Sequence, residues 1–415
     1  MATQRWIGNA PSIAQVDTIT LGTYDVTTTW TVAFGAGAGG VSFSTVGTGG
    51  TTTTTAAALK ALIAASTAVL LGQFTITQSA AVITVTNNQA ANGANGETAS
   101  VSGGTGTVVL ATTAGSSPND VGNTANYASG SLPVNSDTLT LDAGTAANSL
   151  LYNLSALSGV TLTSFTRKQA FTGTVGLPEW NPAGFWEYRP TELAVGITTA
   201  TIEIAPGDTA QQIKINGGSV QTALTITGPA GQGQLNREVV WWRGTNASNV
   251  VKVIGGSLAI AVNAGLSATV ATLSAENATV RCGASCTLTT VNITSSTADL
   301  SSSCTTLNMR ALTGAPTCNA RLATAIATAN VYAGRLSWYS TGTITTLTLG
   351  PGAVFDASVG SGNFTITNAV VMSPGSVFFD PEGRTINAGI VFTLQNCTLR
   401  DVTIVCGIGR TVTIS

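Results

Sequence analysis

The chain contains no histidine, and this absence removes much of the side-chain chemistry that proteins use near neutral pH. Histidine is the commonest metal ligand and a frequent general base. Catalytic sites of the Ser-His-Asp and Cys-His types are therefore excluded. Acid and base chemistry on two carboxylates stays open, because glycosidases need only two Asp or Glu side chains about 5 to 10 Å apart.

The carboxylates of the C-terminal region do not recur at one phase of a repeat, as a catalytic pair on successive coils would require. The closest pair is Asp380 and Glu382 in FFDPEGR, where Pro381 and Gly383 favour a turn over a catalytic site. The sequence therefore predicts no catalytic residue and no enzyme. The carboxylates considered are Glu276, Asp299, Asp356, Asp380, Glu382 and Asp401.

Large aromatic side chains are concentrated in a chain that is only 6% aromatic. The stretch LPEWNPAGFWEYRPTE combines four of them with acidic residues, and a Trp-Trp-Arg cluster follows later. Such a platform can stack on sugar rings, but capping of the first coils or a subunit interface is favoured, because amphipathic aromatics dominate both. The predicted interface or glycan contacts are Trp6, Trp180, Trp186, Tyr188, Trp241 and Trp242.

The six cysteines all lie in the C-terminal third of the chain. In a large chain without a secretory signal we expect free, buried thiols that act as small hydrophobes. Cys282 and Cys286 have no second pair at zinc-site spacing, so no metal site is predicted. The glycine clusters match neither a Walker nor a dinucleotide fingerprint, so no cofactor is predicted.

The low charge of the chain limits its partners. Charged residues make up 8% of the 415 residues, against about 25% in ordinary domains. The net charge is -2. With only 16 Lys and Arg, nucleic acid is not an expected partner. A chain that is 43% apolar does not fit disorder either.

Targeting signals are not found in the sequence. The N-terminus has no apolar segment of the length that a secretory signal needs, which predicts synthesis without export by the usual route. No stretch approaches the roughly 20 apolar residues that span a bilayer, so no membrane contact is expected.

Composition and turn residues divide the chain into four segments. Residues 1–13 are predicted to form an extended arm, and residues 14–115 a small β-rich α+β sandwich. Its one helix is predicted at about 54–66, where apolar residues recur at helical spacing on an Ala-rich background. A polar connector at 116–136 precedes a solenoid at 137–415.

Similar strand-like words recur from about residue 271 onward, about 15 to 28 residues apart. This period without helical patterning predicts a parallel β-helix with one coil per word. Propeller blades need repeats of about 40 residues and Ig-like domains modules of about 100, and neither is visible. The words are TLSAEN at 272, TLTTVN at 287, TTLNM at 305, ATANVY at 327, TTLTLG at 345, FTITNA at 364 and FTLQNC at 392.

Residues 1 to about 250 resemble structural proteins of tailed bacteriophages and prophages. The resemblance lies in ATQRWIGNAPSIAQVDTIT, the domain that follows, NTANYASGSLPVNSDTLTLD, GLPEW and EYRPTELAVG. It implies a virion component with a β-helical body, made in the host cytoplasm and displayed on the virion surface. It also implies a homotrimer that contacts the major capsid protein or another virion protein.

Three functions are compatible with these observations. A non-enzymatic virion surface protein, most simply a capsid decoration or cement protein, is favoured because a neutral Thr- and Ala-rich surface suits many weak contacts. A tail fibre or tailspike that binds or depolymerises host polysaccharide is the first alternative. Its enzymatic form is disfavoured because the carboxylates do not recur at the same position in successive repeats. A bacterial surface adhesin is the second, and the missing signal disfavours it.

Overall fold

Short strands rich in β-branched and small residues make up 49% of this chain, as its composition predicts. The structure is a computed structural model. It describes residues 2–35, 40–90, 97–143, 148–178, 180–181, 185–186, 190–206, 212–229, 238–385, 389–408 and 410–415.

The small N-terminal domain consists of two antiparallel sheets and one helix. Strand β1 (Thr3–Arg5) precedes it in the chain and belongs to the solenoid. The domain contains β2 (Ala14–Gly22), β3 (Thr29–Phe34), β4 (Val41–Val46), α1 (Thr52–Ala64), β5 (Phe74–Ser79), β6 (Val82–Ala90), β7 (Thr98–Ser102) and β8 (Thr107–Thr113). One sheet has the order β5-β6-β2-β8 and the other β4-β3-β7.

Alternation along β2 and β3 builds the core of this domain. Trp30, Val32 and Phe34 point inward from β3, and α1 covers them with Leu59 and Ile63. This burial removes apolar surface on both sheets from water, which is the main stabilising term for a domain of this size. The predicted sandwich is therefore closed by its one helix.

The helix begins slightly earlier than the predicted 54–66. Thr51 is the N-cap, and its hydroxyl accepts a hydrogen bond from the Thr54 amide at 3.1 Å. Five consecutive threonines from Thr51 to Thr55 can all cap a helix, so the sequence does not reveal which one does. Of the apolar residues at helical spacing, Leu62 is 45% exposed.

Two parallel sheets form the solenoid. The long sheet contains β1, β9 (Thr138–Leu141), β10 (Thr161–Arg167), β14 (Gly196–Glu203), β16 (Ala223–Thr227), β18 (Val250–Ile254), β20 (Ala268–Glu276), β22 (Cys286–Thr294), β24 (Cys304–Arg310), β26 (Ile326–Val331), β28 (Thr343–Leu349), β30 (Thr365–Ile366), β31 (Val370–Met372), β33 (Gly389–Leu394) and β35 (Thr411–Ile414).

The short sheet contains β13 (Leu193–Ala194), β15 (Ile213–Asn216), β17 (Val240–Arg243), β19 (Ser257–Ile260), β21 (Thr279–Cys282), β23 (Thr297–Leu300), β25 (Thr317–Ala320), β27 (Arg335–Trp338), β29 (Val354–Asp356), β32 (Val377–Asp380) and β34 (Thr403–Cys406). A separate antiparallel pair consists of β11 (Trp180–Asn181) and β12 (Phe185–Trp186). The predicted fold class, a parallel β-helix preceded by a small sandwich with one helix, is confirmed.

The seven sequence words lie on successive coils of the long sheet, as predicted. The first five words each contribute one inward residue to a single column, in which Leu273 pairs in register with Val291, and Val291 with Leu307. Each of these side chains is fully buried. The solenoid also begins well before residue 271, because β9 and β10 already pair in parallel.

The core between the two sheets changes from aliphatic to aromatic toward the C-terminus. Phe355 and Phe378 stack with ring centroids 5.1 Å apart, and Phe378 meets Phe392 edge to face at the same distance. Trp338 and Phe364 complete this cluster. Offset and edge-to-face pairs of this kind add stabilisation beyond their buried area.

The segments before β9 also belong to the solenoid. Strand β1, within the predicted arm, pairs with β9 so that Gln4 lies opposite Leu139. Val121 and Tyr127, within the predicted connector, are buried in the solenoid core. In the part of the chain that the structure describes, no helix is long and apolar enough to cross a membrane.

Candidate contact groove on the short sheet

Trp6 is not a surface contact, which corrects its prediction as an interface or glycan residue. Its side chain is fully buried, and its ring meets Tyr127 edge to face at 5.3 Å. The indole Nε1 donates a hydrogen bond to the Asn148 carbonyl at 2.8 Å. The pairing of β1 with β9 carries Trp6 into the first coil, where it fills the end of the core.

The predicted platform of Trp180, Trp186 and Tyr188 is described only in part. The backbones of Trp180 and Trp186 are opposite each other in the β11–β12 ladder. Their side chains, and all of Tyr188, lie outside the described residues.

Trp241 and Trp242 are neighbours on β17 and point to opposite sides of the sheet, as successive strand residues must. Trp242 faces inward and is 2% exposed, so its predicted contact role is corrected to a core role. Trp241 faces outward and is half-buried. Of the six predicted aromatic contacts, Trp241 is the one whose described side chain reaches the surface.

Two cations lie over the ring of Trp241. The Lys214 Nζ is 5.0 Å and the Arg281 Cζ 5.8 Å from the ring centroid. Lys214 is on the preceding coil, whereas Arg281 follows two coils later, beyond the small Ala259. The indole Nε1 donates to the Glu238 carbonyl at 2.9 Å. The ring is therefore held by cation–π contacts on both sides along the solenoid axis.

Ion pairs fasten the segments before the strands to this face of the short sheet. Arg281 donates from Nε and Nη2 to the two oxygens of the buried Glu238, at 2.9 and 3.0 Å. The Arg243 Nε lies 2.6 Å from the Glu192 Oε2. Such bidentate or short charge-assisted bonds are the stronger class of protein hydrogen bond. The two arginines thereby fix the edges of the surface around Trp241.

A groove of about 580 Å³ opens between these residues. Its polar lining includes Glu192, Lys214, Asn216 and Arg243, with Trp241 as its aromatic wall. A second cavity of about 330 Å³ adjoins it and shares Ala194 and Asn216 in its lining. The combined surface offers amide, carboxylate, guanidinium and indole groups, a set suited to polar ligands with many hydroxyls.

The groove does not contain a carboxylate pair among its described lining residues. Glu192 is the acidic side chain there, and Arg243 holds it. Retaining and inverting glycosidases both need a second carboxylate across the bond that is cleaved. Among the described lining residues, Glu192 is therefore the one carboxylate, and it is held in an ion pair.

Asp380, the other predicted carboxylate of interest, stabilises the turn that follows it. It is fully buried and accepts hydrogen bonds from the Arg384 amide at 2.9 Å, the Thr385 amide at 3.0 Å and the Thr385 hydroxyl at 2.7 Å. Glu382 is exposed on the same turn. This arrangement matches the turn interpretation of FFDPEGR.

Arg384, which follows that turn, links several coils. Its guanidinium donates to the carbonyls of Trp338 at 2.7 Å, Ala357 at 2.6 Å and Gly362 at 2.7 Å. Burial lowers the pKa of this guanidinium, although Asp380 and Glu382 act in the opposite direction. No local sequence pattern predicts this role, because the accepting carbonyls come from positions far apart in the chain.

The cysteines are free thiols, as predicted. Burial raises the pKa of Cys286 to about 11 and that of Cys304 to about 12. Cys282 and Cys318 are also buried with raised pKa values, whereas the remaining two thiols are half-buried. Within the described ranges, no group of three or more Cys, Asp or Glu side chains is arranged to hold a metal ion.

Glu192 and Arg243 belong to the two aromatic clusters found in the sequence, but their pairing was not predicted, and Lys214 was missed. Arg243 lies 51 residues from Glu192 along the chain, so no local pattern connects the two. The aromatic clusters were the available signal, and they pointed to Trp241. No protein-family model, curated protein or solved structure matches this chain, so its assignment depends on the geometry described above and the resemblance noted in its sequence.

Proposed function

We propose that this chain is a non-enzymatic structural protein of a tailed-bacteriophage virion, specifically a capsid decoration protein that presents its solenoid on the particle surface. The supporting observation is that most of the carboxylates considered for catalysis are held by the fold. Asp299 pairs with Arg321, Asp356 pairs with Arg335, and Asp380 and Asp401 accept hydrogen bonds within their own turns. The resemblance of residues 1 to about 250 to virion proteins is the reason for proposing a phage particle as the location of this chain.

The location is tested by labelling the protein on purified particles and imaging them by electron microscopy. We expect label distributed over the head. Label confined to the tail would favour the fibre or tailspike alternative, and unlabelled particles would contradict a virion role. A parallel assay of reducing ends released from capsular and O-antigen polysaccharides should give no product above buffer.

Self-association as a homotrimer is part of the proposal. Its support is the outer face of the long sheet, where Thr272, Thr290, Thr306, Thr328 and Thr346 form one uncharged row in register. Uncharged side chains of this size cost little to bury between subunits, in contrast to Lys or Glu. A flat row of this kind can therefore pack against a neighbouring solenoid.

Sedimentation velocity tests the trimer. We expect a mass near three times 41.6 kDa for the native chain and a smaller species for Thr306→Lys. Asn319→Lys, on the outer face of the short sheet, is the matched control and should leave the mass unchanged. A native chain that stays monomeric at high concentration would contradict this part of the proposal.

Polysaccharide binding is a second candidate function, favoured by the groove beside Trp241. Its polar lining and its aromatic wall are the usual components of a saccharide site. Arg243→Ala should abolish binding to a responsive polysaccharide, whereas Arg321→Ala, farther along the same sheet, should leave it intact. Equal binding by both variants would exclude the groove as the site.

A further inference from the structure

Strand β8 of the small domain is an unusually open sheet edge. It pairs with β2 along all seven of its residues, and no other described strand pairs with its second edge. Six of its residues are exposed, including Val109 at 60% and Leu110 at 36%. An edge strand of this length presents a row of backbone groups that can accept another strand.

The protection that sheet edges normally carry is missing on β8. Its sequence TVVLATT contains no charge, no proline and no register shift in its pairing with β2. At the opposite side of the sandwich, helix α1 packs against the outer strands β4 and β5. Natural sheets usually block open edges with Lys, Pro, bulges or a covering element. Edge β8 has none of these among the described residues.

The sequence of β8 is nearly self-complementary in the antiparallel sense. A two-fold axis through Leu110 places Leu110 opposite its own copy, Val109 opposite Ala111, and Thr107 opposite Thr113. The three central residues then meet apolar partners, Val108 meets the β-branched Thr112, and Thr meets Thr at the ends. Pairs of β-branched residues and Thr–Thr pairs are favourable across strands. A two-fold contact needs the same patch on both subunits, and β8 provides it.

We propose that β8 is a homotypic docking edge, on which a second copy of this chain adds its own β8 in antiparallel register centred on Leu110. The contact joins the β5-β6-β2-β8 sheets of two small domains into one continuous sheet. It goes beyond the proposed function, because a two-fold contact cannot close a three-fold ring and would instead connect one oligomer to the next.

Disulfide trapping in the full-length chain tests the register. Cys397 and Cys406, the two half-buried thiols, are first replaced by serine. Leu110→Cys should then give a covalent dimer on a non-reducing gel after mild oxidation, because directly opposite Cβ atoms lie about 4.5 to 5.5 Å apart, close to disulfide geometry.

Two exposed positions check the same register without touching Leu110. Thr107→Cys and Thr113→Cys should each stay monomeric on the gel when oxidised alone, and should form a dimer when the two proteins are mixed. Absence of dimer from both Leu110→Cys and the mixture overturns the proposal. Equal dimer yields from Thr107→Cys alone and from the mixture also overturn it, because they indicate random collision.

Charge on the edge provides a second test. Val109→Lys with Ala111→Lys places Lys opposite Lys in the proposed register, and should weaken self-association at least about tenfold in sedimentation equilibrium. Thr75→Lys with Thr77→Lys, at exposed positions of β5, is the matched control and should have no effect. Unchanged association of the β8 variant would overturn the contact and leave the proposed virion role untouched.

Discussion

The two outer faces of the solenoid carry different chemistry although they belong to the same coils. On the short sheet, Arg243 and Arg281 bind acidic residues of the segments that lead into the strands, Glu192 and Glu238. On the long sheet, rows of Thr, Ser and Asn dominate the regular coils. Charged side chains therefore occur on the short sheet, where they bind the segments that lead into the strands. They are rare on the outer face of the regular coils of the long sheet, which no such described segment covers.

The long-sheet face has its own stabilising pattern in an asparagine ladder. The side-chain amide of Asn308 donates to the Asn292 Oδ1 at 2.9 Å, and that of Asn330 donates to the Asn308 Oδ1 at the same distance. Stacked amides satisfy one another along the solenoid axis without any charge. The outer faces of the same coils are thus stabilised by ion pairs on the short sheet and by hydrogen bonds between amide side chains on the long sheet.

The largest expected effect comes from removing a charge on the short sheet. Glu238→Gln leaves Arg281 without its carboxylate, and breaking a buried pair from one side is strongly destabilising. Arg281 keeps 22% side-chain exposure and can recover some hydration. We expect a loss of about 2 kcal/mol in the free energy of unfolding, measured by urea denaturation.

Glu276→Gln, on the long sheet, is the control for this loss. Glu276 is half-buried at the end of β20, so its replacement should change the unfolding free energy by less than about 0.5 kcal/mol. Equal losses of unfolding free energy from Glu238→Gln and Glu276→Gln would contradict the proposal that ion pairs stabilise the short-sheet face more than the long-sheet face.

A medium effect is expected from interrupting the ladder. Asn308→Ala removes one donated and one accepted hydrogen bond, and should cost about 1 kcal/mol in urea denaturation. Asn368→Ala loses a single bond to the Thr346 hydroxyl at an exposed site, so a smaller loss is expected there. A loss from Asn368→Ala as large as that from Asn308→Ala would argue against cooperation within the ladder.

The smallest loss of stability is expected at Glu203, which is charged although the outer face of the long sheet is mostly uncharged. A hydrogen bond from the Lys168 ammonium, at 2.7 Å, is the main cause that lowers the pKa of Glu203. A lowered pKa means that this contribution is present above the unfolded Glu pKa of about 4.3 and is lost as the pH falls.

Glu203→Gln should therefore reduce stability by no more than about 0.5 kcal/mol at pH 7, because both partners are partly exposed. The difference from the native chain should shrink in acid. Thermal unfolding of both proteins between neutral and acidic pH measures this, and a difference that grows on acidification would contradict the assignment.

The existence of the regular coils could be predicted from sequence. Similar words recur at intervals of about one coil, so the period is visible without a structure. The exact register is not, because the stacked residues Leu273, Val291 and Leu307 are second, fifth and third in their words. The period of the first coils could not be recognised in the sequence, because segments of irregular length separate β10, β14 and β15.

The roles of the tryptophans could not be predicted from local sequence. The direction of Trp6 depends on pairing between β1 and β9, which lie more than a hundred residues apart in the chain. Trp241 and Trp242 are adjacent and chemically identical, and only the phase of β17 sends one outward and the other into the core. Composition identifies such residues as important but does not assign them to a face.

The buried thiols make the opening of individual coils measurable. Cys282, Cys286, Cys304 and Cys318 occupy neighbouring coils in the middle of the stack, and a thiol-specific reagent reaches them only when those coils separate. In a solenoid each coil pairs in parallel only with the coils next to it, so fraying from an end must pass through the outer coils first. The order in which these four thiols become labelled would therefore show from which end the protein unravels.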